Sequence, residues 1–273
     1  MIEILDPGPF ASIQDRGRPG FASVGVPRSG AFDRGAFELA NRLVGNARGA
    51  ACVEFTLGGL MLAVQHAVTV ALTGAEAPGL DWGVAISLPA GARVRFGTPS
   101  RGLRSYLAVR GGIDTPAELE SRSTDTLSGL GPRPLAAGDR LRVGISVSAD
   151  VLGAAATPQR MRALRVVAGP RDEWVIGDVV EALTSASWVL GADSDRIGLR
   201  LDGARLDRRA GGGELASEPT LPGAVQLPPD GRPIIFGPDA PVTGGYPVVA
   251  VVRRTDMDIA AQLRPGDPVV FTG

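Results

Sequence analysis

The stretch Cys52-Val-Glu-Phe-Thr-Leu57 carries the clearest structural signal in the sequence. From Val53 to Leu57 every second residue is apolar, and Glu54 and Thr56 alternate with them. A period of two is typical of an extended chain that turns one face toward a core. The stretch therefore predicts a β-strand.

Short apolar runs of this kind recur along the chain, separated by turn-forming residues. Glycine contributes 38 and proline 22 of the 273 residues, which is more than long helices tolerate. The other runs cover 68–73, 93–96, 104–109, 141–143, 164–167, 188–190, 197–201, 234–236, 248–252 and 269–271. Many short strands with turns between them predict a mainly β fold of the sandwich or barrel kind.

Three short helices are predicted beside the strands. Asp33 is placed to cap the first, whose apolar face would hold Ala36, Phe37, Ala40, Leu43 and Val44. The second is predicted after Gly169-Pro170 from Trp174, Val175, Val179, Val180 and Leu183. The third would begin at a capping box of Thr255 and Asp258.

A weak internal repeat divides the chain. Leu135-Ala-Ala-Gly-Asp139 precedes one predicted strand, and Leu263-Arg-Pro-Gly-Asp267 precedes another about half the chain later. Because Gly-Asp turns are common before strands, coincidence is the alternative explanation. The small, polar stretch 154–162 is the expected boundary, so we predict two β-rich domains at 1–153 and 163–273.

Composition excludes several classes of partner. The 28 Lys+Arg residues nearly balance 29 Asp+Glu, so nucleic acid and acidic membranes are not expected partners. No apolar run is long enough for a transmembrane helix, and the N-terminus carries Glu3 and Asp6 with no basic residue before Arg16. These features predict a soluble, cytoplasmic protein without a signal peptide.

The scarcity of three residue types excludes several kinds of site. The chain has no lysine, so it cannot form a P-loop, a lysine Schiff base or a biotin attachment of its own. One histidine, His66, and one cysteine, Cys52, cannot make a zinc site or a disulfide. Both lie in strand-like segments, and we predict that both are structural, with His66 in the middle of a strand and partly buried.

Polar, glycine-flanked segments are the candidate binding loops, because their residues are poor core material. Arginine forks suit carboxylate, phosphate or bicarbonate, and hydroxyls and loop N–H groups add donors. A small anionic or ureido-like substrate fits this chemistry. The candidate substrate-binding residues are Gln14, Arg16, Arg18, Ser29, Arg122, Ser123, Asp125, Ser194, Asp195, Arg196, Thr243 and Tyr246.

Each candidate also has a structural explanation. Asp195-Arg196 would equally well clamp a loop to its neighbour, and Asp33 fits a helix cap better than a general base. Tyr246 follows Gly244-Gly245, so it is either displayed on a loop or packed in the core. The residues alone indicate a β-rich protein with arginine-lined loops, in which the catalytic residue is unknown.

The same loops carry a family resemblance. In order along the chain, the motifs are Gln14-Asp-x-Gly-Arg-x-Gly20, Gly25-Val-Pro-x-Ser-Gly-Ala-x-Asp33, Asn41-x-Leu-Val-Gly-Asn46, Leu72-Thr-Gly-Ala75, Ala108-Val-Arg-Gly-Gly-Ile-Asp114, Ser121-Arg-Ser-Thr-Asp-Thr126, Ser194-Asp-Arg-Ile-Gly198 and Thr243-Gly-Gly-Tyr-Pro247. This series resembles the KipA family, also called allophanate hydrolase subunit 2 or the C-type subunit of bacterial 5-oxoprolinase.

The resemblance implies two cyclophilin-like β-barrel halves with a few short helices. It also implies similarity to the carboxyltransferase region of urea carboxylase. The expected partners are a KipI-type (B-type) subunit and an A-type subunit, which together with this chain would open 5-oxoproline to glutamate at the expense of ATP. No covalently bound cofactor and no metal are expected. Biotin could act in trans, on a separate carrier.

Three functions stay open at this point. The chain is a subunit of a hydrolase active only as a complex, a biotin-dependent carboxyltransferase subunit, or a regulatory protein that binds a KipI-type kinase inhibitor. Amidase chemistry with a Ser-Ser-Lys triad is excluded by the missing lysine. The family commonly has lysine where this chain has Val248, so a substrate anion would have to meet Arg16, Arg18 or Arg196 instead, unless that lysine is only a solvated strand residue.

Overall fold

The computed structural model of the chain describes residues 1–146, 153–156, 163–209 and 215–273. They fall into two compact units. Unit 1 comprises Met1–Arg18, Ser29–Asp125 and Gly129–Gln159, and unit 2 comprises Pro19–Arg28, Thr126–Ser128 and Arg160–Gly273. Most of the predicted boundary, 157–162, lies outside the described residues, and the two-domain division at 1–153 and 163–273 stays a prediction.

The described residues of unit 1 form ten strands in two five-stranded sheets. In chain order these are β1 Ile2–Pro7, β2 Phe10–Gln14, β3 Cys52–Thr56, β4 Leu60–Val64, β5 Val68–Gly74, β6 Ala85–Leu88, β7 Arg93–Arg95, β8 Arg104–Val109, β9 Ile113–Asp114 and β10 Arg140–Val143. One sheet has the order β7-β4-β1-β10-β9 and the other β2-β3-β8-β5-β6. All paired strands within them are antiparallel.

The two sheets share one apolar core, and a helix covers the outer face of the second sheet. Val53 and Phe55 point into the shared core, where Phe55 stacks on Phe96 with ring centroids 4.9 Å apart. Helix α1, Arg34–Leu43, packs Phe37 edge-on against Tyr106. The strand predicted at 52–57 is therefore confirmed, but both of its faces are buried, because α1 replaces solvent on the outer side.

Unit 2 contains a closed barrel and a two-stranded ladder. Its strands are β11 Ala163–Ala168, β12 Trp188–Leu190, β13 Gly198–Gly203, β14 Glu218–Pro219, β15 Ala224–Gln226, β16 Ile234–Phe236, β17 Thr243–Gly244, β18 Val248–Val252 and β19 Pro268–Thr272. The barrel order is β11-β18-β15-β16-β13-β12-β19, and the parallel pair β19–β11 closes it. The fold class, mainly β with a few short helices, is confirmed.

Unit 2 also holds the two remaining helices. Helix α2, Val179–Ser185, begins later than predicted, because Asp178 caps it by accepting hydrogen bonds from the N–H groups of Val180 and Glu181. Trp174 lies in a separate 3₁₀ turn. Helix α3, Met257–Ala260, follows another such turn and has no side-chain cap, so the predicted capping box was wrong.

The repeated Gly-Asp turn has the same hydrogen bonds in both units. In unit 1, Asp139 N–H donates to Ala136 O, and Gly138 N–H and Asp139 O bond to the backbone of Ile4. The carboxylate of Asp139 accepts from Ala136 N–H at 2.8 Å.

The corresponding bonds in unit 2 join Asp267 to Arg264 in the turn, and Gly266 and Asp267 to Leu190. The carboxylate of Asp267 accepts from Arg264 N–H at 2.9 Å. The sequence repeat is therefore a repeat of structure.

His66 and Cys52 differ in their environments. Cys52 is fully buried, and burial raises the pKa of its thiol well above the ordinary value. The mid-strand position predicted for His66 was wrong, because β4 ends at Val64 and β5 begins at Val68. His66 is exposed in the turn between them. No described helix is long and apolar enough to cross a membrane.

Candidate functional site

A buried carboxylate joins two of the predicted loops in unit 1. Asp15 Oδ1 accepts hydrogen bonds from Gly17 N–H, Ser121 Oγ and Ser123 Oγ at 2.6–2.7 Å, and Oδ2 accepts from Arg122 N–H at 2.6 Å. We call these five residues the Asp15 cluster. Because its carboxylate is 7% exposed and already accepts four bonds, Asp15 is a positioning group and is not placed to act as a base.

Arg18 and Gln14 lie beside the Asp15 cluster and are almost fully buried. Arg18 Nη2 donates to Ser123 O at 2.6 Å, and its Nη1 lies 3.9 Å from Asp125 Oδ2. Gln14 Nε2 donates to Thr124 O at 3.0 Å. Both side chains therefore hold segment 123–125 in place, and their predicted role as substrate-binding residues stays a prediction.

The loop that leads into α1 joins the same region. Ser29 Oγ donates to Thr124 O at 3.1 Å, and Ala31 N–H donates to Asp15 O at 2.9 Å. Gly30 has φ +92°, and a Cβ there would lie 2.7 Å from Gly17 N. Only glycine allows this approach of the two backbones. Unit 1 thus brings together the predicted segments around residues 14–18, 29–33 and 122–125.

Sequence reasoning missed the buried group that holds the other end of this loop. Glu54 Oε2 accepts hydrogen bonds from Tyr106 Oη at 2.7 Å and from Phe32 N–H at 3.2 Å. Tyr106 Oη in turn accepts from Asp33 N–H at 2.8 Å. Burial, together with the charge of Glu54, raises the pKa of Tyr106 well above its ordinary value. Glu54 and Tyr106 face each other on the neighbouring strands β3 and β8. The signal that could have revealed this group was the presence of a glutamate and a tyrosine inside two apolar strands.

The helix-cap assignment of Asp33 is confirmed. Its carboxylate Oδ1 accepts a hydrogen bond from Ala36 N–H at 2.9 Å, and its backbone N–H is held by Tyr106. Arg16 differs from Arg18, because its side chain is half exposed and pairs with Glu38 at 3.0 Å. Within segment 14–18 it is thus Arg16 whose guanidinium is in contact with solvent.

A cavity of about 430 Å³ opens next to the Asp15 cluster. Ile13, Ile113 and Leu141 provide apolar lining, and segment 114–117 forms one side. Three arginines line it as well: Arg122, Arg140 and Arg142. We call this cavity the arginine groove. One of the predicted site residues, Arg122, therefore lies at an open volume.

In unit 2 the predicted Arg196 forms a buried ion pair. Its Nε and Nη2 donate to the two carboxylate oxygens of Asp239 at 2.9 and 3.0 Å. Asp239 Oδ2 also accepts from the backbone N–H and the hydroxyl of Thr126. The loop-clamp explanation of Asp-Arg segments therefore applies to Arg196, although its partner is Asp239 and not the adjacent Asp195.

The neighbours of Arg196 shape its own loop. Asp195 Oδ1 accepts from Ile197 N–H at 2.7 Å and from Gly198 N–H at 3.0 Å, which closes a tight turn. Ser194 Oγ accepts from Arg200 N–H at 3.0 Å. Both side chains are satisfied locally, and their predicted contact with a substrate stays a prediction.

The segment 243–246 carries two exposed candidates of unit 2. Thr243 lies in the β14–β17 ladder opposite Pro219 and is exposed. Tyr246 is 46% exposed, so it is displayed on a loop, and its carbonyl accepts from Gln226 Nε2 at 2.9 Å. Val248, at the position where the family commonly has lysine, is 6% exposed and packs in an apolar cluster with Phe236.

Comparisons with known proteins identify relatives over nearly the whole chain. The chain is 39% identical to the C-type subunit of 5-oxoprolinase from Escherichia coli, over 99% of this chain and 90% of that protein. It is 33% identical to urea amidolyase of Lachancea kluyveri, of which it covers 17%.

Solved structures agree with the sequence comparisons. The crystal structure of TTHA0988 superposes with a TM-score of 0.88 at 36% identity, over 100% of this chain and 56% of that one. The K. lactis urea amidolyase superposes with a TM-score of 0.91 at 30% identity, over 99% of this chain and 18% of that one. The family described as carboxyltransferase domain, subdomain A and B, matches residues 24–273. The chain belongs to this carboxyltransferase domain family.

Proposed function

We propose that the chain is the C-type subunit of a 5-oxoprolinase complex, which opens 5-oxoproline to glutamate with ATP together with A-type and B-type subunits. The observation that carries the proposal is the match to the E. coli C-type 5-oxoprolinase subunit, because it spans 90% of that protein. By contrast, the chain covers only 17% of the urea amidolyase of L. kluyveri.

The chemistry of unit 1 supports a role in binding. Asp15 is saturated with hydrogen bonds, and the one carboxylate among the described residues that line the arginine groove, Asp114, pairs with Arg142 at 3.1 Å. Neither is free to activate a water molecule. In the proposed complex this chain binds and orients the substrate, and the partner subunits contribute the groups for phosphoryl transfer and hydrolysis.

Reconstitution tests the proposal. The chain is co-expressed with the B-type and A-type subunits of the same source, the complex is purified, and glutamate formation from 5-oxoproline is measured with and without ATP. We expect ATP-dependent turnover that disappears when this chain is left out. Assembly of all three subunits without any turnover of 5-oxoproline would refute the proposal.

A second candidate is a carboxyltransferase subunit that receives carboxybiotin from a separate carrier. The family match and the TM-score of 0.91 to the K. lactis urea amidolyase favour it. The two functions are separated by supplying urea and 5-oxoproline to the same purified complex. Urea-dependent consumption of ATP and bicarbonate that requires a biotinylated carrier would favour the carboxyltransferase, whereas biotin-independent glutamate formation favours 5-oxoprolinase.

A further inference from the structure

The arginine groove has a lining of two kinds. Its inner side is formed by Ile13, Ile113 and Leu141, which are 2%, 3% and 7% exposed and belong to the core of unit 1. Its outer side is cationic. A pocket with apolar walls and a few fixed polar groups is the usual form of a small-molecule site, and about 430 Å³ lies within the usual range.

Arg122 is the fixed cation of this groove. Its backbone N–H donates to Asp15 Oδ2 at 2.6 Å, and its Nε donates to Thr115 O at 2.7 Å. The backbone and the Nε of this arginine are thus anchored, and its two terminal nitrogens remain for a ligand. No carboxylate among the described residues forms an ion pair with Arg122. A planar fork held in this way loses little conformational entropy when it binds a carboxylate.

Arg140 and Arg142 complete the charge of the groove. They alternate along β10, and Arg142 is neutralised by Asp114. Arg140 is exposed and, within the part of the chain that the structure describes, forms no ion pair, although Glu3 lies opposite it across the β1–β10 ladder. Among the residues that line the groove there are three arginines and one aspartate, so the lining carries two positive charges in excess, at Arg122 and Arg140.

We propose that the arginine groove binds the carboxylate of a small organic acid, with Arg122 as the fixed donor and Arg140 as the second cation. The apolar inner side receives the carbon skeleton of the acid. The identity of that acid as 5-oxoproline rests on the proposed function, whereas the preference for an anion rests on the groove itself. Bicarbonate and inorganic phosphate share the negative charge but lack an apolar body.

Direct binding to the purified full-length chain tests the groove independently of turnover. Calorimetric titrations use 5-oxoproline, bicarbonate and inorganic phosphate as three separate arms, at up to millimolar concentration. The variants are Arg122→Gln, Arg140→Gln and their double, and the matched control is Arg93→Gln, an exposed arginine on β7 outside the groove lining.

We expect 5-oxoproline to bind about tenfold more weakly to Arg122→Gln and several-fold more weakly to Arg140→Gln, because a charge-assisted hydrogen bond is lost. The Arg93→Gln control should bind as the wild type does. Arg140 is on the surface, so its variant keeps the test valid if Arg122→Gln fails to fold. The groove is overturned if the wild type binds none of the three anions, or if the double variant binds them unchanged.

The same variants in the reconstituted complex separate the two proposals. A higher KM for 5-oxoproline with little change in kcat would support both. Full turnover with an unchanged KM in the double variant would overturn the groove and leave the 5-oxoprolinase function standing. An inactive complex whose isolated chain still binds 5-oxoproline through Arg122 and Arg140 would refute the function and keep the groove. Stronger binding of bicarbonate or phosphate than of 5-oxoproline would overturn the organic acid as ligand.

Discussion

In unit 1 the buried carboxylate of Asp15 accepts its hydrogen bonds from neutral serine hydroxyls and backbone N–H groups, whereas in unit 2 the buried carboxylate of Asp239 is paired directly with Arg196. The neighbouring arginine of unit 1, Arg18, bonds mainly to backbone carbonyls and lies 3.9 Å from Asp125. A buried aspartate thus has two electrostatic environments, one made of neutral donors around Asp15 and one made by a direct arginine partner at Asp239.

The difference predicts what each unit loses when one group is removed. Deleting one member of a buried ion pair leaves a full charge without compensation, which costs about 3–5 kcal/mol. Deleting an acceptor that is surrounded by neutral donors leaves only unsatisfied dipoles, at about 1–3 kcal/mol. The next predictions use this contrast in order of decreasing effect.

The largest loss is expected for Asp239→Asn in unit 2. Asparagine keeps the shape of the side chain but removes the negative charge that is paired with the buried Arg196 guanidinium, so the free energy of unfolding should fall by about 3–5 kcal/mol. Urea unfolding followed by the fluorescence of Trp174 and Trp188, both in unit 2, measures it. Asp193→Asn, at an exposed position, is the control and should change stability by less than about 0.5 kcal/mol. If Asp239→Asn lowers the free energy of unfolding no more than Asp193→Asn does, the negative charge of Asp239 does not stabilise the buried Arg196.

Asp15→Asn should cost less, about 2 kcal/mol, because its donors in unit 1 are neutral. The amide NH₂ would face at least one of the donors now held by the carboxylate, among them Ser121 and Ser123. Hydrogen exchange of the 121–125 amides measures the local effect, and Asp81→Asn, an exposed residue of the same unit, is the control. A loss as large as that of Asp239→Asn would contradict the view that neutral donors alone hold the Asp15 carboxylate.

Acid should weaken unit 2 through a second direct pair. The hydrogen bonds from Arg165 lower the pKa of Asp256 from 3.8 to about 2. Because the folded-state pKa is the lower one, the stabilisation is complete above about pH 4 and is lost as the pH falls through about 2. Its size is about 1–2 kcal/mol, less than the full shift implies because Arg165 is partly exposed. Between pH 5 and pH 2, the urea concentration at the unfolding midpoint should fall less steeply in Asp256→Asn than in the wild type. If the midpoints of the two proteins fall in parallel, the Arg165–Asp256 pair is not the cause of the acid sensitivity.

How far the sequence predicts this fold depends on what each strand contains. All eleven strands predicted from apolar runs are present, because alternating or continuous apolar residues identify buried strands directly. The strand β2, with Ser12 and Gln14, was missed, since its polar side chains are buried and satisfied by hydrogen bonds made across the fold. The strands β1, β4, β6 and β15 were missed as well, although β4 is wholly apolar. The strands β9, β14 and β17 have two residues each, too few to show a period.

The candidate site was predictable in composition but not in exposure. The sequence identified the glycine-flanked loops, and three of them meet in unit 1. It could not distinguish Arg18, which is buried, from Arg16, two residues earlier and half exposed, because burial depends on segments about a hundred residues away such as 118–125. Arg140 and Arg142 were overlooked as site residues because a strand with alternating arginines is also typical of a solvated face.

The smallest difference is expected between the two glycines of the repeated Gly-Asp turn, a feature that both units share. Gly138 and Gly266 occupy the same turn with φ of +90° and +89°, and a Cβ at either position would meet nothing within 4 Å. Alanine therefore costs only the strain of a left-handed backbone, about 1–2 kcal/mol at each site. We expect Gly138→Ala and Gly266→Ala to lower the free energy of unfolding of their own unit equally, to within about 0.5 kcal/mol.

In chains that keep only Trp82 or only Trp188, fluorescence reports on unit 1 and unit 2 separately. Asparagine, which tolerates positive φ better than alanine does, should recover part of the loss in both turns. Equal losses here beside unequal losses for Asp15→Asn and Asp239→Asn would show that the units share their backbone turns and differ in how they hold charge. If the losses of unfolding free energy in the two glycine variants differ by more than about 1 kcal/mol, the turn does not contribute equally to the two units despite its matching hydrogen bonds. The strand next to the turn, at Ile4 in unit 1 or at Leu190 in unit 2, would then determine how much the turn stabilises its unit.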